Sequence, residues 1–106
     1  MTTKANHAID ALQATRNIWD KMTFGGLIRA LRTSDEISQV ELAKKIGVSK
    51  QFLSAVEHNR KDVGIGFAKK VASALGYSIE PLLELLIKQQ LKRQRLNYTV
   101  EIKKAS

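Results

Sequence analysis

The chain has 106 residues, a length that suits one domain with one hydrophobic core, and its apolar fraction of 43% excludes wholesale disorder. It contains no cysteine, which excludes disulfides and cysteine-ligated metal sites. Its 18 Lys and Arg residues against 10 Asp and Glu give a net charge of +8, which favours a polyanionic partner. No apolar run approaches the roughly 20 residues of a membrane span, and the first residues lack a signal-peptide pattern. We therefore expect a soluble, cytoplasmic protein without a membrane partner.

The N-terminal third of the chain predicts two helices. Residues 5–21 place apolar side chains near one face at helical spacing, which indicates an amphipathic helix. Thr23 can cap a second helix that runs through Leu31, because apolar residues recur after it at intervals of three and four. Residues 33–36 form a polar connection to the next element.

A helix-turn-helix is predicted in the middle of the chain. Ser38 and Glu41 have the spacing of a capping box, which indicates the start of a helix. Gly47 can adopt the left-handed conformation that ends a helix, and Ser49 then caps a second short helix that extends to about His58. Two short helices joined by a tight turn that contains glycine form this motif. The residues predicted to be buried on the first of these helices are Val40, Leu42, Ala43 and Ile46.

Two further helices and a strand are predicted after the motif. Helical spacing continues from about Ile65 to Leu75, where Gly76 ends the helix, and Pro81 suits the first turn of a last helix. The apolar period then changes to two at Leu96, Tyr98, Val100 and Ile102, which predicts a strand. Because a lone strand leaves its backbone groups unpaired, we expect it to pair with the same strand of a second copy.

Residues 38–60, SQVELAKKIGVSKQFLSAVEHNR, resemble the lambda-repressor-like (Cro/C1-type) helix-turn-helix of the XRE family of bacterial and phage regulators. The shared features are Gln at the start of the first helix, Leu-Ala inside it, Gly-Val-Ser in the turn and Val-Glu near the end of the second helix. The resemblance covers about residues 24–75 and implies an all-α bundle of about five helices. In this interpretation residues 1–22 are a helical extension, residues 23–80 are the DNA-binding domain, and residues 81–106 are the helix and strand for dimerisation.

The second helix of the motif is the expected recognition helix, whose first turns meet base edges in the major groove in this family. The expected base-reading residues are Ser49, Lys50, Gln51, Ser54 and Ala55. Lys can donate to guanine O6 and N7, and Gln can pair with adenine N6 and N7. Ser54 and Ala55 are equally compatible with exposed positions that contact nothing.

The resemblance also implies residues that bind phosphates and residues that support the fold. Gln39 lies at a helix N-terminus, which favours an anion, and Asn59, Arg60 and Lys61 follow the recognition helix. We expect these four side chains to contact phosphates. Many family members have Gly at the position of Asn59, and Asn tolerates the same positive φ. Arg32 is expected to form a structural ion pair with Glu57, although it could reach a phosphate instead.

These features predict a transcriptional regulator, a repressor, that binds double-stranded DNA and associates with the bacterial or phage nucleoid. A homodimer on an inverted repeat is expected, with half-sites about 34 Å apart. The expected dimer contacts are Leu86, Leu96, Tyr98, Val100 and Ile102. The alternative is an antitoxin that binds a toxin protein through residues 5–22 or the C-terminal strand and represses its own operon. The sequence gives less support to an RNA-binding or coactivator function, because the strand offers only Tyr98 for base stacking.

No pattern in the sequence supports catalysis. Arrangements of Ser/His/Asp or Cys/His, paired carboxylates and a phosphate-binding glycine loop are not found. His7 and His58 are isolated and lack the spacing of metal ligands. We therefore expect neither enzymatic activity, nor a cofactor, nor a bound metal.

Overall fold

The structure is a computed structural model that describes residues 21–105, and this part of the chain contains five helices and no strand. The helices are α1 (Phe24–Ser34), α2 (Gln39–Ile46), α3 (Lys50–Glu57), α4 (Ile65–Leu75) and α5 (Glu80–Arg93). The predicted all-α bundle is confirmed. The helix predicted for residues 5–21 lies, apart from its last residue, outside the described residues. Over residues 21–105, the helices are too short or too polar to cross a membrane.

Side-chain caps start the first three helices where the sequence predicts them. The hydroxyl oxygen of Thr23 accepts a hydrogen bond from the first turn of α1. Ser38 and Glu41 form both halves of a capping box at α2, and the hydroxyl of Ser49 accepts a backbone hydrogen bond in α3. Each cap satisfies N–H groups that have no partner within the helix.

The predicted helix ends agree with the structure at two glycines. Gly47 and Gly76 both have φ of 75° and end α2 and α4 in the left-handed conformation. α1 is longer than predicted, because it continues beyond Leu31 to Ser34.

One hydrophobic core joins all five helices. α1 packs against α3, α4 and α5, and α2 packs against α3 and α4. Buried apolar side chains come from every helix, and each of the larger ones (Val, Leu, Ile and Phe) stabilises the fold by about 1.5–3 kcal/mol relative to an exposed position. The buried leucines of α5 belong to this same core, so α5 completes the bundle that carries the helix-turn-helix.

Two predicted burial assignments need correction. Val40 is 45% exposed, because it lies two residues, about 200° of helix rotation, before Leu42, whose side chain faces the core. Leu86, predicted as a dimer contact, is only 2% exposed and packs inside its own chain. The side chain of Leu86 is therefore not available to a second copy.

The predicted C-terminal strand is wrong. Residues 96–105 have no regular secondary structure. Alternating apolar residues indicate which side chains share a face, but a strand also needs a neighbouring backbone. The segment instead contacts α5, where the backbone N–H of Ile102 donates to the carboxylate of Glu84 at 3.1 Å. Val100 and Ile102 are half-buried, whereas Leu96 and Tyr98 are exposed.

Candidate nucleic-acid interface

The helix α3 has one face fixed in the core and one face toward solvent. Leu53 and Val56 are fully buried. Lys50 and Gln51 are exposed on the opposite side, and Ser54 and Ala55 are half-buried beside them. Together with Arg60, these four residues line a shallow depression of about 270 Å³. Ser49 is also exposed and caps the helix that carries them. The structure thus brings all five predicted base-reading residues to one end or one face of α3.

A buried ion pair joins α1 to the C-terminal end of α3. The guanidinium of Arg32 donates to Glu57 through Nε at 2.8 Å to Oε2 and through Nη2 at 2.9 Å to Oε1. Its Nη1 donates to the carbonyl oxygen of Ile37, at 2.8 Å. Such bidentate geometry fixes both direction and distance. The pair that the resemblance implies is therefore present as a contact between two helices, with Arg32 turned away from solvent.

Gln39 extends this contact to α2. Its amide Nε2 donates to Oε1 of Glu57 at 3.0 Å, so one carboxylate accepts hydrogen bonds from both Arg32 and Gln39. The side chain of Gln39 is partly exposed at the first position of α2, and its second amide hydrogen and its oxygen remain for an external group. The family resemblance suggests the ion pair of Arg32 with Glu57 and the phosphate contact of Gln39 as separate features. The sequence contains no local signal that Arg32 and Gln39 share the carboxylate of Glu57.

Asn59 has a structural role that the prediction of phosphate binding missed. Its φ is 58°, as its position after the recognition helix suggests. Its side-chain oxygen accepts from the backbone N–H of Gly25 at 3.2 Å, and its Nδ2 donates to the hydroxyl of Thr23 at 2.9 Å. Both ends of this side chain therefore hold the N-terminus of α1.

Gly25 allows α1 to approach the end of the recognition helix. A Cβ atom at this position would lie 2.1 Å from the carbonyl oxygen of Val56 and 2.7 Å from that of Glu57. Sequence reasoning missed this contact. The available signal was a glycine in the first turn of a predicted helix, where glycine is otherwise unfavourable.

The loop after α3 presents two cations and is hydrogen-bonded to α5. Arg60 and Lys61 are exposed, and the ammonium of Lys61 lies 5.8 Å from the centre of the Phe52 ring. Arg93 of α5 donates to the carboxylate of Asp62 and, at 3.3 Å, to the carbonyl oxygen of Asn59. The last helix thus positions the loop that carries Arg60 and Lys61.

The N-terminus of α4 follows this loop and has no side-chain cap. Gly64 occupies the cap position, and the space that a Cβ atom would fill at Gly64 or Gly66 is open. Uncapped backbone N–H groups at a helix N-terminus favour an anion. This end of α4 is a further candidate phosphate contact that the sequence did not indicate.

Comparison with known proteins places the motif in a family. A family model described as Helix-turn-helix matches residues 28–82, just over half of the chain. The immunity repressor protein of Bacillus phage phi105 is 34% identical over 71 residues, which cover 65% of this chain and 49% of that protein. The HTH-type transcriptional regulator SinR of Bacillus subtilis is 38% identical over 61 residues, which cover 57% of this chain and 55% of SinR. The chain thus spans about half the length of these relatives.

Solved structures show the same fold. A structure of SinR, a master regulator for biofilm formation, in complex with DNA has a TM-score of 0.54 at 37% identity and covers 57% of this chain and 98% of that one. The restriction-modification controller protein C.AhdI from Aeromonas hydrophila has a TM-score of 0.53 at 32% identity and covers 56% of this chain and 86% of its own.

Proposed function

Because this chain belongs to the XRE family of helix-turn-helix proteins, we propose that it is a transcriptional regulator that binds double-stranded DNA sequence-specifically. The observation that carries the proposal is the exposed face of α3, whose opposite face is fixed in the core. A rigid helix that presents Lys50 and Gln51 in its first turn suits the major groove. A relative named as an immunity repressor favours repression as the outcome of binding.

Phosphate contacts on both sides of α3 would fix its register. Gln39 is held at the start of α2 by Glu57, and Arg60 and Lys61 are held after α3 by the contacts with α5. Contacts of this kind position the protein on the duplex and carry no sequence information. The uncapped N-terminus of α4, which follows this loop in the chain, would add backbone N–H donors for a further phosphate.

A homodimer would give the protein enough contacts for a specific site. One recognition helix reads only a few base pairs, whereas two copies would read an inverted repeat with half-sites about 34 Å apart. The C-terminal segment supports this proposal, because Tyr98 is 67% exposed and Leu96 is 46% exposed. We assign the contact between copies to these two residues with Val100 and Ile102.

The relatives are named as repressors and regulators, which favours a transcriptional regulator over an antitoxin with a toxin partner.

DNA binding is tested with a labelled random-sequence duplex and two matched double variants. The change Arg60→Ala with Lys61→Ala removes two cations beside α3, and Lys88→Ala with Lys92→Ala removes two exposed cations from α5. If the loop binds phosphates, the negative slope of log affinity against log salt becomes less steep by about 0.9 for each phosphate that the variant no longer neutralises. The α5 variant is expected to change the slope much less. Equal slopes in the two variants would contradict the proposed phosphate contacts.

The proposed dimer is tested by sedimentation of the whole chain and of a chain that lacks residues 96–106. The shortened chain is expected to be a monomer under conditions in which the whole chain is a dimer. The paired change Leu96→Ser with Tyr98→Ser should act in the same direction, because both side chains are exposed and their removal leaves the core intact. A dimer that persists in both variants would contradict the assignment of the interface.

A further inference from the structure

A groove between the end of α2 and the outer face of α4 carries four lysines. We define the lysine groove by Lys44 and Lys45 of α2 and Lys69 and Lys70 of α4, which line a space of about 930 Å³ that is open to solvent. The surface that lines the groove is mainly apolar and includes half-buried Ala74 as its floor, whereas Ile46 is only 4% exposed and lies beneath it. The groove therefore combines concentrated positive charge with an apolar floor.

The four lysines have no acidic partner in the described part of the chain. Its ion pairs are Arg32 with Glu57, Arg93 with Asp62, and Lys103 with Glu101. No Asp or Glu from residues 21–105 is among the residues that line the groove. All four lysines are exposed, and an anionic ligand in the groove would reduce their mutual repulsion.

The groove is separate from the face that would read DNA. The depression on α3 is lined by Lys50, Gln51, Ser54, Ala55 and Arg60, and none of these residues lines the lysine groove. The two surfaces are nevertheless neighbours, because Gly47 lines the groove and lies in the turn that leads into α3. A ligand in the groove would thus lie close to the recognition helix without covering its exposed face.

We propose that the lysine groove binds an acidic peptide segment of another protein, with an apolar side chain of that segment on the groove floor. Carboxylates of such a segment complement the four ammonium groups. The floor favours a peptide over a DNA backbone, which has no apolar side chain to bury there.

The test uses a fluorescein-labelled peptide, Glu-Asp-Leu-Glu-Glu-Leu-Asp-Glu, and a second peptide in which Ser replaces both Leu residues. Fluorescence anisotropy measures the binding of each peptide to the whole chain. The change Lys69→Glu with Lys70→Glu alters the groove, and Lys88→Glu with Lys92→Glu makes the same change of charge on α5. We expect the groove variant to bind the leucine peptide at least about tenfold more weakly and the control to change it by less than about twofold. The serine peptide should bind the unaltered chain several-fold more weakly.

Three results would overturn the proposal. The first is absence of measurable binding of the leucine peptide to the unaltered chain. The second is an equal effect of the two variants, or equal affinity for the two peptides, because either would indicate unspecific attraction to a basic protein. The third is a much larger decrease of duplex binding in the groove variant than in the control, which would assign the groove to the DNA backbone. Circular dichroism checks folding, and Lys44→Gln with Lys45→Gln tests the other wall of the groove.

Discussion

Gly25 lies so close to Val56 that a Cβ atom on Gly25 would be 2.1 Å from the carbonyl oxygen of Val56. The same glycine donates its backbone N–H to Asn59, just beyond the recognition helix. The first turn of α1 therefore supports the end of α3 through backbone contact and one side-chain amide. This contact requires a residue without a Cβ atom where the first turn of α1 meets the end of α3.

Gly25→Ala is expected to destabilise the fold by about 1–3 kcal/mol or more, because the clashing atoms belong to the backbone and cannot rotate away. Gly66→Ala is the matched control, since Gly66 is also the second residue of its helix and has open space around it. That change should be neutral or stabilising by up to about 1 kcal/mol. Urea denaturation measures both free energies of unfolding. Similar values for the two variants would show that the close approach is not required.

The ion pair of Arg32 and Glu57 predicts strongly non-additive mutations. Removal of one partner leaves a buried charge, so Arg32→Met or Glu57→Leu alone is expected to cost about 3–5 kcal/mol. The double variant should be destabilised by much less than the sum of the two, because neither charge is then left unpaired. A double-mutant cycle in urea measures this coupling, and additive effects would contradict it.

Lys50→Ala and Gln51→Ala are each expected to weaken binding to a selected operator by about 1–3 kcal/mol and to change binding to random DNA little. The reason is that base-edge contacts exist only with the right sequence. Competition binding measures both affinities, with Lys88→Ala as a control that removes an exposed lysine from α5. Gln39→Ala should behave differently and weaken all sequences alike. Equal decreases on both DNAs for Lys50→Ala would reassign that residue to phosphate contact.

Tyr77 gives the fold a dependence on alkaline pH. Its hydroxyl donates to the carboxylate of Asp35 at 2.9 Å, and this hydrogen bond, with some desolvation and the charge of Asp35, raises the pKa of Tyr77 above its ordinary value of 10.0. The stabilisation is therefore fully present below about pH 10 and is lost as the pH rises through the raised pKa. Absorbance titration should show a lower Tyr77 pKa in Asp35→Asn. In Tyr77→Phe this alkaline decrease of stability should be smaller, and an unchanged pH profile in that variant would contradict the linkage.

The parts of the fold that local sequence determines were predictable. The capping box of Ser38 and the left-handed Gly47 depend on residues within one turn, so the helix-turn-helix could be placed from its pattern alone. The contacts of Asn59 with Gly25 and Thr23 join residues far apart in the chain, and no local pattern encodes them. The alternation at residues 96–102 was misinterpreted for a related reason, because periodicity does not say whether a partner backbone exists.

The candidate site was predictable to a similar extent. The sequence pattern indicates that Leu53 and Val56 are the buried positions of α3. Lys50 and Gln51 lie on the opposite side of the helix, so their direction toward solvent could be predicted. Arg32 and Gln39 both donate to the carboxylate of Glu57, and Arg93 donates to the loop after α3. These hydrogen bonds depend on the tertiary packing of four different segments. These supporting contacts could be identified only from the structure.

The most direct test of the central claim is selection of bound sequences from a random duplex pool at two salt concentrations. We predict enrichment of an inverted repeat whose half-site centres lie about 34 Å apart, and the same repeat should be enriched at both concentrations because base contacts depend less on salt than phosphate contacts do. Binding that enriches no sequence and collapses at the higher salt concentration would show an unspecific basic surface and would contradict the claim.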